Sequence, residues 1–393
     1  MTSIVIIFWI GIITVFYTYI GYGILLYIMV KIKEYIKKPQ VKILPDPLPK
    51  VTLLIAAYNE QDIVVPKMEN TLALDYPSDL LKIVWVTDGS TDSTNELLKA
   101  YPQVETLFDT PRQGKSAAIN RAMVFITTPI VIFTDANTML CREAIKEMVL
   151  QFVDPKVGCV AGEKRVSSHA NQDATSGEGI YWKYESTLKA LDYRLYSAVG
   201  AAGELFAIRT LLYMKLPNNT LLDDFVMSMS IAQKGYKIAY CKTAYAIESS
   251  SQDITQETKR KIRIAAGGLQ SITRLSSLLN IFRYGILSFQ YISHRVIRWS
   301  ITPLLLFSLL PLNIMLAWSY GLSSIYGIIL LLQLFFYIIG TAGYILNKRE
   351  IKNKIFFVPY YFLFMNVCVF KGFLYLKKYH GSGIWDKALR KNG

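Results

Sequence analysis

Cysteine and histidine are scarce in this sequence. Its 393 residues include four cysteines and three histidines. The cysteines, Cys141, Cys159, Cys241 and Cys368, form no CxxC pair and follow no regular spacing. This pattern argues against a disulfide framework and a zinc site, and it favours a reducing compartment such as the cytosol.

Charged residues are absent from two long stretches, residues 1–30 and 299–347. Since about 20 apolar residues cross a bilayer, the first stretch predicts one transmembrane helix and the second a hairpin of two. The first stretch lacks the basic beginning of a cleaved signal peptide. With 52% hydrophobic residues and a mean hydropathy of +0.29, the chain is too apolar for an ordinary soluble protein.

Acidic residues are missing from residues 258–349, although basic residues are frequent there. The whole chain has 43 basic and 29 acidic residues, a net charge of +14. Because the basic residues lie beside the apolar stretches, they predict contact with anionic membrane lipids and not with nucleic acid. Lys31, Lys33 and Lys37 follow the first stretch, so the positive-inside bias predicts that the chain after residue 30 enters the cytoplasm. Together with the apolar stretches, this predicts a multi-pass protein of the inner (plasma) membrane with a cytoplasmic domain.

The order of these segments predicts seven regions. They are an N-terminal transmembrane helix (1–30), a cytoplasmic linker (31–49), an α/β domain (50–276), an amphipathic interface helix (277–298), a transmembrane hairpin (299–347), a further membrane segment (355–376) and a basic cytoplasmic tail (377–393). Segment 355–376 contains Pro359 and Asn366, and its uncharged part is shorter than a full span. A re-entrant or interfacial element is favoured because the basic tail is expected inside, but a fourth span is the alternative.

Three apolar runs in the α/β domain, residues 51–57, 82–87 and 130–134, predict buried strands with helices between them. Such alternation is typical of a parallel α/β sheet, whose ligands bind at the carboxyl ends of the strands. Polar residues follow each run at that end, namely Asn59, Asp88 and Asp135. We therefore expect a polar site at this edge of the sheet.

Five phrases in this domain resemble the ordered signature of family 2 glycosyltransferases with the GT-A fold. They are Ala57-Tyr58-Asn59-Glu60, Thr87-Asp88-Gly89-Ser90, Gly114-Lys115-Ser116, Asp135-Ala136-Asn137 and Leu222-Asp223-Asp224. The similarity covers about residues 51–270 and extends to membrane-anchored hyaluronan, cellulose and poly-N-acetylglucosamine synthases. It implies an α/β, GT-A (Rossmann-like) cytoplasmic glycosyltransferase domain with N- and C-terminal transmembrane helices.

The resemblance assigns the donor nucleotide to the first three phrases. Residues 57–60 (Ala57, Tyr58, Asn59, Glu60) would flank base and ribose, Asp88 would accept an imide N–H such as that of uracil, and Lys115 would approach the diphosphate. A Walker phosphate loop does not fit Lys115, because the upstream glycine is missing. The alternatives are an Asx-turn for Asp88, a helix-dipole contact for Glu60 and an exposed helix-start position for Lys115.

Asp135 and Asn137 stand where the family has its Asp-x-Asp metal motif. The resemblance therefore implies a divalent cation, Mg²⁺ or Mn²⁺, and carboxylate and amide oxygens are ligands that such hard cations accept. Asn137 departs from the family pattern and is a weaker ligand than a carboxylate. The alternative is that Asn137 caps the following helix.

The resemblance makes Asp224 the catalytic base, with Asp223 in support, for single displacement with inversion. Repulsion between paired acids also raises the pKa of one of them, as a base requires. Arg263 matches the arginine that meets the leaving diphosphate, while Arg260 and Ile264 replace the family's Gln and Trp. The alternatives are a helix N-terminus for the two aspartates and headgroup contact for the basic cluster.

Gly203 and Glu204 lie in a segment that resembles the acceptor side of the family. Gly203 would permit close approach and Glu204 would hydrogen-bond a sugar, the alternative being a turn before a buried strand. The aromatic residues Tyr181, Trp182 and Tyr184 predict helical core packing, with sugar stacking as the less favoured alternative.

The sequence thus predicts an inverting, metal-dependent membrane glycosyltransferase of cell-surface polysaccharide biosynthesis. Its partners would be a nucleotide-sugar donor, with a UDP-sugar favoured, and a glycan or lipid-linked acceptor. One alternative is a processive exopolysaccharide synthase with an export partner, although the missing tryptophan removes the stacking platform for a growing chain. The other is a non-catalytic membrane nucleotide-sensing protein.

Overall fold

The computed structural model describes residues 1–37, 42–166, 175–248, 254–349, 351 and 353–378. For residues 175–181, 254 and 354 the description covers the backbone only. Most of the predicted basic tail, from residue 379 on, lies outside the described residues. The four cysteines are free and buried.

A mixed eight-stranded sheet forms the centre of the soluble domain, with strand order β3-β2-β1-β4-β7-β6-β8-β5. The strands are β1 (Val51–Ala57), β2 (Leu81–Asp88), β3 (Val104–Asp109), β4 (Ile130–Asp135), β5 (Thr138–Leu140), β6 (Val157–Val166), β7 (Leu205–Arg209) and β8 (Lys237–Glu248). Strands β3, β2, β1 and β4 are mutually parallel, but β7 is antiparallel to both of its neighbours and β5 is antiparallel to β8. The expectation of a wholly parallel sheet is therefore wrong for the second half of the domain.

The central strands are mostly apolar because the sheet is covered on both faces. Leu54, Val84 and Val131 belong to the core on one face, whereas Leu53 and Ile83 belong to the core on the other. The surrounding helices are α3 (Gln61–Leu72), α4 (Thr94–Leu98), α5 (Lys115–Met123), α6 (Ala144–Gln151), α7 (Thr175–Leu195), α8 (Asp223–Gln233) and α9 (Ile254–Arg274).

Four helices among the described residues are long and apolar enough to cross a membrane, namely Thr2–Ile36, Ile301–Tyr320, Ile325–Lys348 and Ile355–Lys378. The first consists of α1 (Thr2–Phe16), a π-helical turn (Tyr17–Gly21) and α2 (Tyr22–Ile36), and the others are α13 (Ile301–Tyr320), α14 (Ile325–Lys348) and α15 (Lys354–Lys378). The first helix extends six residues beyond the predicted end of the span at residue 30. Helix α15 continues through Pro359, so its length allows a fourth crossing, and the preference for a non-crossing segment stays a prediction.

The predicted interface helix is a succession of short pieces. They are a 3₁₀ turn (Ser276–Leu279), α10 (Ile281–Tyr284), α11 (Ile286–Tyr291), a π-helical turn (Ile292–Val296) and α12 (Ile297–Trp299). Arg295 and Arg298 of this segment are buried and do not face lipid headgroups. They donate hydrogen bonds to Glu185 at 2.5 and 3.1 Å, respectively.

His294 lies in the same buried group of side chains. Its Nδ1 is 2.6 Å from Asp192 Oδ2, and Asp192 Oδ1 accepts a hydrogen bond from the Tyr22 hydroxyl at 2.5 Å. The histidines form no metal-binding pattern in the sequence, and no motif predicts this buried group of side chains. We call Glu185, Asp192, His294, Arg295 and Arg298 the junction cluster, because it joins α7, the N-terminal helix and the interface segment.

Candidate active site

The polar phrases meet at the carboxyl ends of three adjacent strands. Ala56 in β1 pairs with Asp135 in β4, and Ala57 pairs with Thr87 in β2. This register places Tyr58, Asp88 and Asp135 at one edge of the sheet, as the rule for parallel α/β sheets predicts.

The loop after β1 is tied to the loop after β2. Asn59 has a left-handed φ of 52°, its backbone N–H donates to Ser90 Oγ at 3.1 Å, and its side-chain Oδ1 accepts from the Thr91 N–H at 2.8 Å. The Tyr58 ring stacks on the Arg112 guanidinium, whose carbon is 3.6 Å from the ring centroid. The segment predicted to flank base and ribose is therefore held in one conformation beside β2.

Asp88 fastens the loop that precedes Lys115. Its buried carboxylate accepts the backbone N–H groups of Gln113 at 2.9 Å and Gly114 at 2.7 Å. An Asx-turn within residues 88–90 would use a neighbouring N–H, so the structure contradicts that alternative for the side chain. Recognition of an imide N–H by Asp88 stays a prediction.

Lys115 begins α5 and points to the end of β4. Its Nζ is 2.5 Å from Asp135 Oδ1, so it is not the free surface lysine of the alternative interpretation. Burial alone would lower the pKa of Lys115, but the charges of Asp135, Asp223 and Asp224 outweigh this effect and raise it. The ammonium group is therefore kept protonated among three carboxylates.

Gly203 lies where these groups converge. A Cβ atom on Gly203 would be 3.2 Å from Lys115 Nζ, 3.5 Å from Asp224 Oδ2 and 3.8 Å from Asp135 Oδ2. A side chain here would enter the space between the lysine and the two acids. Glycine at this position therefore keeps the space open for a ligand.

The two acids after Leu222 occupy the first turn of α8, with Leu222 itself at the N-cap position. The alternative interpretation is an N-cap residue followed by a first-turn acid. The structure places Asp224 in the first turn, as that alternative predicts, but the N-cap is Leu222 and not Asp223. Asp224 Oδ1 accepts the Phe225 N–H at 2.8 Å. Burial raises the pKa of Asp224 to about 7, and the charge of Asp223 is the second cause. Repulsion between the two aspartates, the cause predicted from the sequence, raises the pKa of Asp224 less than burial does.

Asp223 is buried, and its Oδ2 has no hydrogen-bond partner among the described residues. A buried carboxylate oxygen is costly unless a hydrogen-bond donor or a cation satisfies it. Asp223 therefore keeps one oxygen available beside Asp224.

Arg263 on α9 completes the arrangement. Burial and the nearby Arg260 lower its pKa, while Asp135, Asp223 and Asp224 act in the opposite direction. The same three acids therefore act electrostatically on the Arg263 guanidinium and on the Lys115 ammonium group. We call Lys115, Asp135, Asp223, Asp224 and Arg263 the catalytic recess.

Glu204 is already engaged by protein groups. Lys164 bonds both Glu204 and Glu248, and Arg260 Nη2 lies 3.9 Å from Glu204 and 3.5 Å from Glu248. These contacts connect the segment of Gly203 to β6, β8 and α9, and sugar binding by Glu204 stays a prediction. Lys164 and Glu248 belong to no motif, so the sequence did not indicate them. Lys164 is 40 residues from Glu204 and 84 residues from Glu248 along the chain.

Core packing is predicted for Tyr181, Trp182 and Tyr184, and Tyr184 packs against a buried apolar cluster. Trp182 is half-buried and lies beside two lysines, and the side chain of Tyr181 lies outside the described residues. The Tyr184 hydroxyl donates to the Tyr19 carbonyl at 2.6 Å. The ring of Trp182 lies 5.2 Å from Lys164 Nζ and 5.5 Å from Lys261 Nζ. Both aromatic residues thus connect α7 to its neighbours.

Asp135 ends β4, and Asn137 lies in the turn before β5. The N-cap of α6 is Glu143, so the alternative in which Asn137 caps that helix is wrong. Binding of a divalent cation by Asp135 and Asn137 stays a prediction. Asp135 supplies a carboxylate and Asn137 an amide oxygen, and Mg²⁺ or Mn²⁺ accepts such oxygen ligands. Among the described residues no group of three or more His, Cys, Asp or Glu side chains is arranged to hold a metal. Phosphate oxygens of a donor would therefore have to supply much of the coordination.

Comparison with known proteins agrees with this geometry. The model of the family described as "Glycosyltransferase like family 2" matches residues 49–267, more than half of the chain. The chain belongs to this glycosyltransferase family. The resemblance inferred from the five phrases is thereby confirmed.

Curated relatives in this family include a poly-β-1,6-N-acetyl-D-glucosamine synthase of Staphylococcus aureus, 26% identical over 249 residues that make up 61% of this chain and 58% of the relative. The probable glycosyltransferase YdaM of Bacillus subtilis is 26% identical over 56% of this chain and 55% of its own. The chain thus matches little more than half the length of these relatives.

Among solved structures, the mannosyltransferase PcManGT of Pyrobaculum calidifontis, determined with GDP-mannose and Mn²⁺, superposes with a TM-score of 0.69 at 21% identity. The superposition covers 94% of this chain and 99% of that one. It confirms the GT-A fold predicted from the sequence, in a chain that also carries apolar helices at both ends.

Proposed function

We propose that this protein is an inverting membrane glycosyltransferase that moves a sugar from a nucleoside-diphosphate sugar, with UDP as the favoured nucleotide, to a glycan or lipid-linked acceptor. The observation that carries the proposal is the convergence of Lys115, Asp135 and Asp224 around the space at Gly203. The Lys115 ammonium group and the Asp224 carboxylate, which can accept a proton, both border this space. Transfer from a diphosphate to a hydroxyl requires this combination.

The reaction assigns one role to each side of the recess. Asp224 removes the proton of the acceptor hydroxyl while that oxygen bonds to the anomeric carbon. The bond between this carbon and the diphosphate oxygen breaks on the opposite face, its electron pair stays on the nucleoside diphosphate, and the anomeric configuration inverts. Lys115 and Arg263 offset the charge that grows on the departing oxygen.

Asp135 and Asn137 would hold a divalent cation, Mg²⁺ or Mn²⁺, at the donor phosphates. Such a cation would neutralise part of the diphosphate charge and orient it. In the proposed complex Lys115 moves from Asp135 to a phosphate oxygen, since both are anionic partners within reach of the α5 start. Support comes from PcManGT, whose structure contains GDP-mannose and Mn²⁺.

The membrane helices would hold the recess at the cytoplasmic face of the plasma membrane. Lys31, Lys33 and Lys37 after the first helix favour this orientation through the positive-inside bias. Membrane lipids are then direct partners of the protein. A glycan or lipid-linked acceptor would meet the donor near the lipid headgroups. The biological role proposed is cell-surface polysaccharide synthesis.

A processive exopolysaccharide synthase is the second candidate, because relatives that cover this region carry the name of a polymer synthase. Ile264 argues against it, since the family has a tryptophan there as a stacking platform. Gel analysis of the product separates the two: a single transfer yields one added sugar, whereas a synthase yields long polymer. A nucleotide sensor would bind UDP without turning over its sugar conjugates.

The proposal is tested by measuring nucleotide release from a panel of UDP- and GDP-sugars with purified protein in lipid nanodiscs, Mg²⁺ or Mn²⁺, and extracted glycolipid acceptors. Replacing Asp224 by Asn should lower kcat by about 10²- to 10⁴-fold, the usual contribution of a general base. Asp75→Asn is the matched control, because Asp75 makes a surface ion pair with Lys146 at 2.7 Å. Equal turnover by the wild type and Asp224→Asn would refute the base assignment.

A further inference from the structure

Helix α9 contacts the catalytic recess along one face. Arg263, Gly267, Gln270 and Arg274 are spaced by four, three and four residues, which places them on the same side of a helix. Arg263 interacts with the acids of the recess. The other three residues contact the loop that leads into Asp223 and Asp224.

Gly267 brings the α9 backbone against this loop. A Cβ on Gly267 would lie 2.6 Å from Leu222 Cγ and 3.0 Å from Leu221 Cβ, both too short for carbon atoms in contact. Leu222 is the residue immediately before Asp223. Any larger residue at 267 would therefore displace the start of α8 relative to Arg263.

Gln270 binds the same loop through both ends of its buried amide. Its Oε1 accepts the Leu221 N–H at 3.0 Å, and its Nε2 donates to the Asn219 carbonyl at 3.0 Å. Arg274 adds a hydrogen bond of 2.6 Å to Asn219 Oδ1. Loss of the amide would leave the buried Leu221 N–H and the half-buried Asn219 carbonyl without these partners.

We propose that Gln270 is a positioning residue for the proposed sugar transfer. It holds the backbone at Asn219 and Leu221, and thereby sets the position of Asp224 relative to Arg263 across the recess. A base and a leaving-group cation must act on opposite faces of the same carbon, so a displacement of about 1 Å between them lowers the rate steeply. The inference rests on the function proposed above and adds a residue that does not touch the substrates.

The test compares Gln270→Met, which keeps the length of the side chain but removes both hydrogen bonds, with wild type. We expect kcat to fall roughly 10- to 100-fold, while the donor KM stays within about twofold because the donor contacts are unchanged. The acid limb of the pH profile of kcat/KM should also move, since the surroundings of Asp224 change. Gln233→Met is the matched control, because Gln233 bonds Ser277 at the far end of α8.

A second pair of variants covers the case in which Gln270→Met does not fold. Gly267→Ala should lower kcat selectively by forcing Leu222 away, and adding Leu222→Ala should restore most of the activity because it removes the conflicting Cγ. If both sets of variants lose thermal stability while the kcat of folded protein and the pH profile stay at wild-type values, the positioning role is overturned. Absence of turnover by the wild type with every donor would instead overturn the proposed function itself.

Discussion

The catalytic recess and the junction cluster are both groups of charged side chains removed from water, but their charges are balanced differently. In the junction cluster Glu185 contacts three cationic or protonatable groups, and Asp192 accepts from His294 and Tyr22. In the recess three acids crowd together, and one oxygen of Asp223 has no hydrogen-bond partner among the described residues. The two acids of the junction cluster thus have Arg295, Arg298 and His294 as partners, whereas the three acids of the recess share two cations, Lys115 and Arg263.

The pKa shifts follow this difference. Burial would raise the pKa of Glu185, yet Arg295, His294 and Arg298 hold it well below its usual range. Burial and Asp223 instead raise the pKa of Asp224 to about 7. A buried acid with complete partners stabilises a structure, whereas one kept near neutrality is suited to proton transfer.

The largest effect on stability is expected in the junction cluster. Glu185→Gln removes the negative charge opposite Arg295 and Arg298, and breaking a buried pair by removing one partner costs about 3–5 kcal/mol of unfolding free energy. Denaturant titration or thermal unfolding in nanodiscs measures the loss, and the kcat of the folded fraction should stay near the wild-type value.

The control for this variant is Glu34→Gln. Glu34 also joins the N-terminal helix to α7, through Arg194 at 2.6 Å, but that pair is solvent-exposed. Exposed pairs contribute about 0.2–1 kcal/mol. If Glu185→Gln and Glu34→Gln lowered the free energy of unfolding equally, burial would not make the ion pairs of the junction cluster more stabilising than an exposed pair.

A smaller effect, on the pH dependence of activity, is expected in the recess. Because the pKa of Asp224 is raised to about 7, the base becomes protonated as the pH falls through that value, and kcat/KM should drop tenfold per pH unit below it. Asp223→Asn removes the charge that is the second cause of the shift. Its acid limb should therefore move to lower pH whatever its absolute rate, and an unmoved limb would show that Asp223 does not act on Asp224.

Much of the first half of the domain follows from the sequence. The limits of β1 match the predicted run, β2 is one residue longer at each end, and β4 is one residue longer at its C-terminal end. These strands are buried on both faces and end in polar phrases, so local pattern and fold agree. Tyr58, Asp88 and Asp135 lie at one edge because the ends of parallel strands β1, β2 and β4 meet there.

The second half could not be predicted in the same way. Strand β7 is antiparallel because of the path the chain takes through α7, and nothing in its five residues encodes a direction. Gln270 meets Leu221 at a separation of 49 residues, and a lone glutamine on a helix has no motif. The inward positions of Arg295 and Arg298 likewise depend on a distant partner, Glu185, so their charge alone suggested a lipid surface.

The smallest expected effect concerns the metal ligands of the recess. Asn137→Asp would restore the two-carboxylate motif of the family, and a second anionic oxygen strengthens binding of a hard cation. The Mg²⁺ or Mn²⁺ concentration that gives half-maximal nucleotide release should fall several-fold, while Asn137→Ala should raise it. If the metal concentration for half-maximal nucleotide release is unchanged in both variants, residue 137 is not a metal ligand. The catalytic recess would then differ from the junction cluster only in its base and its cations.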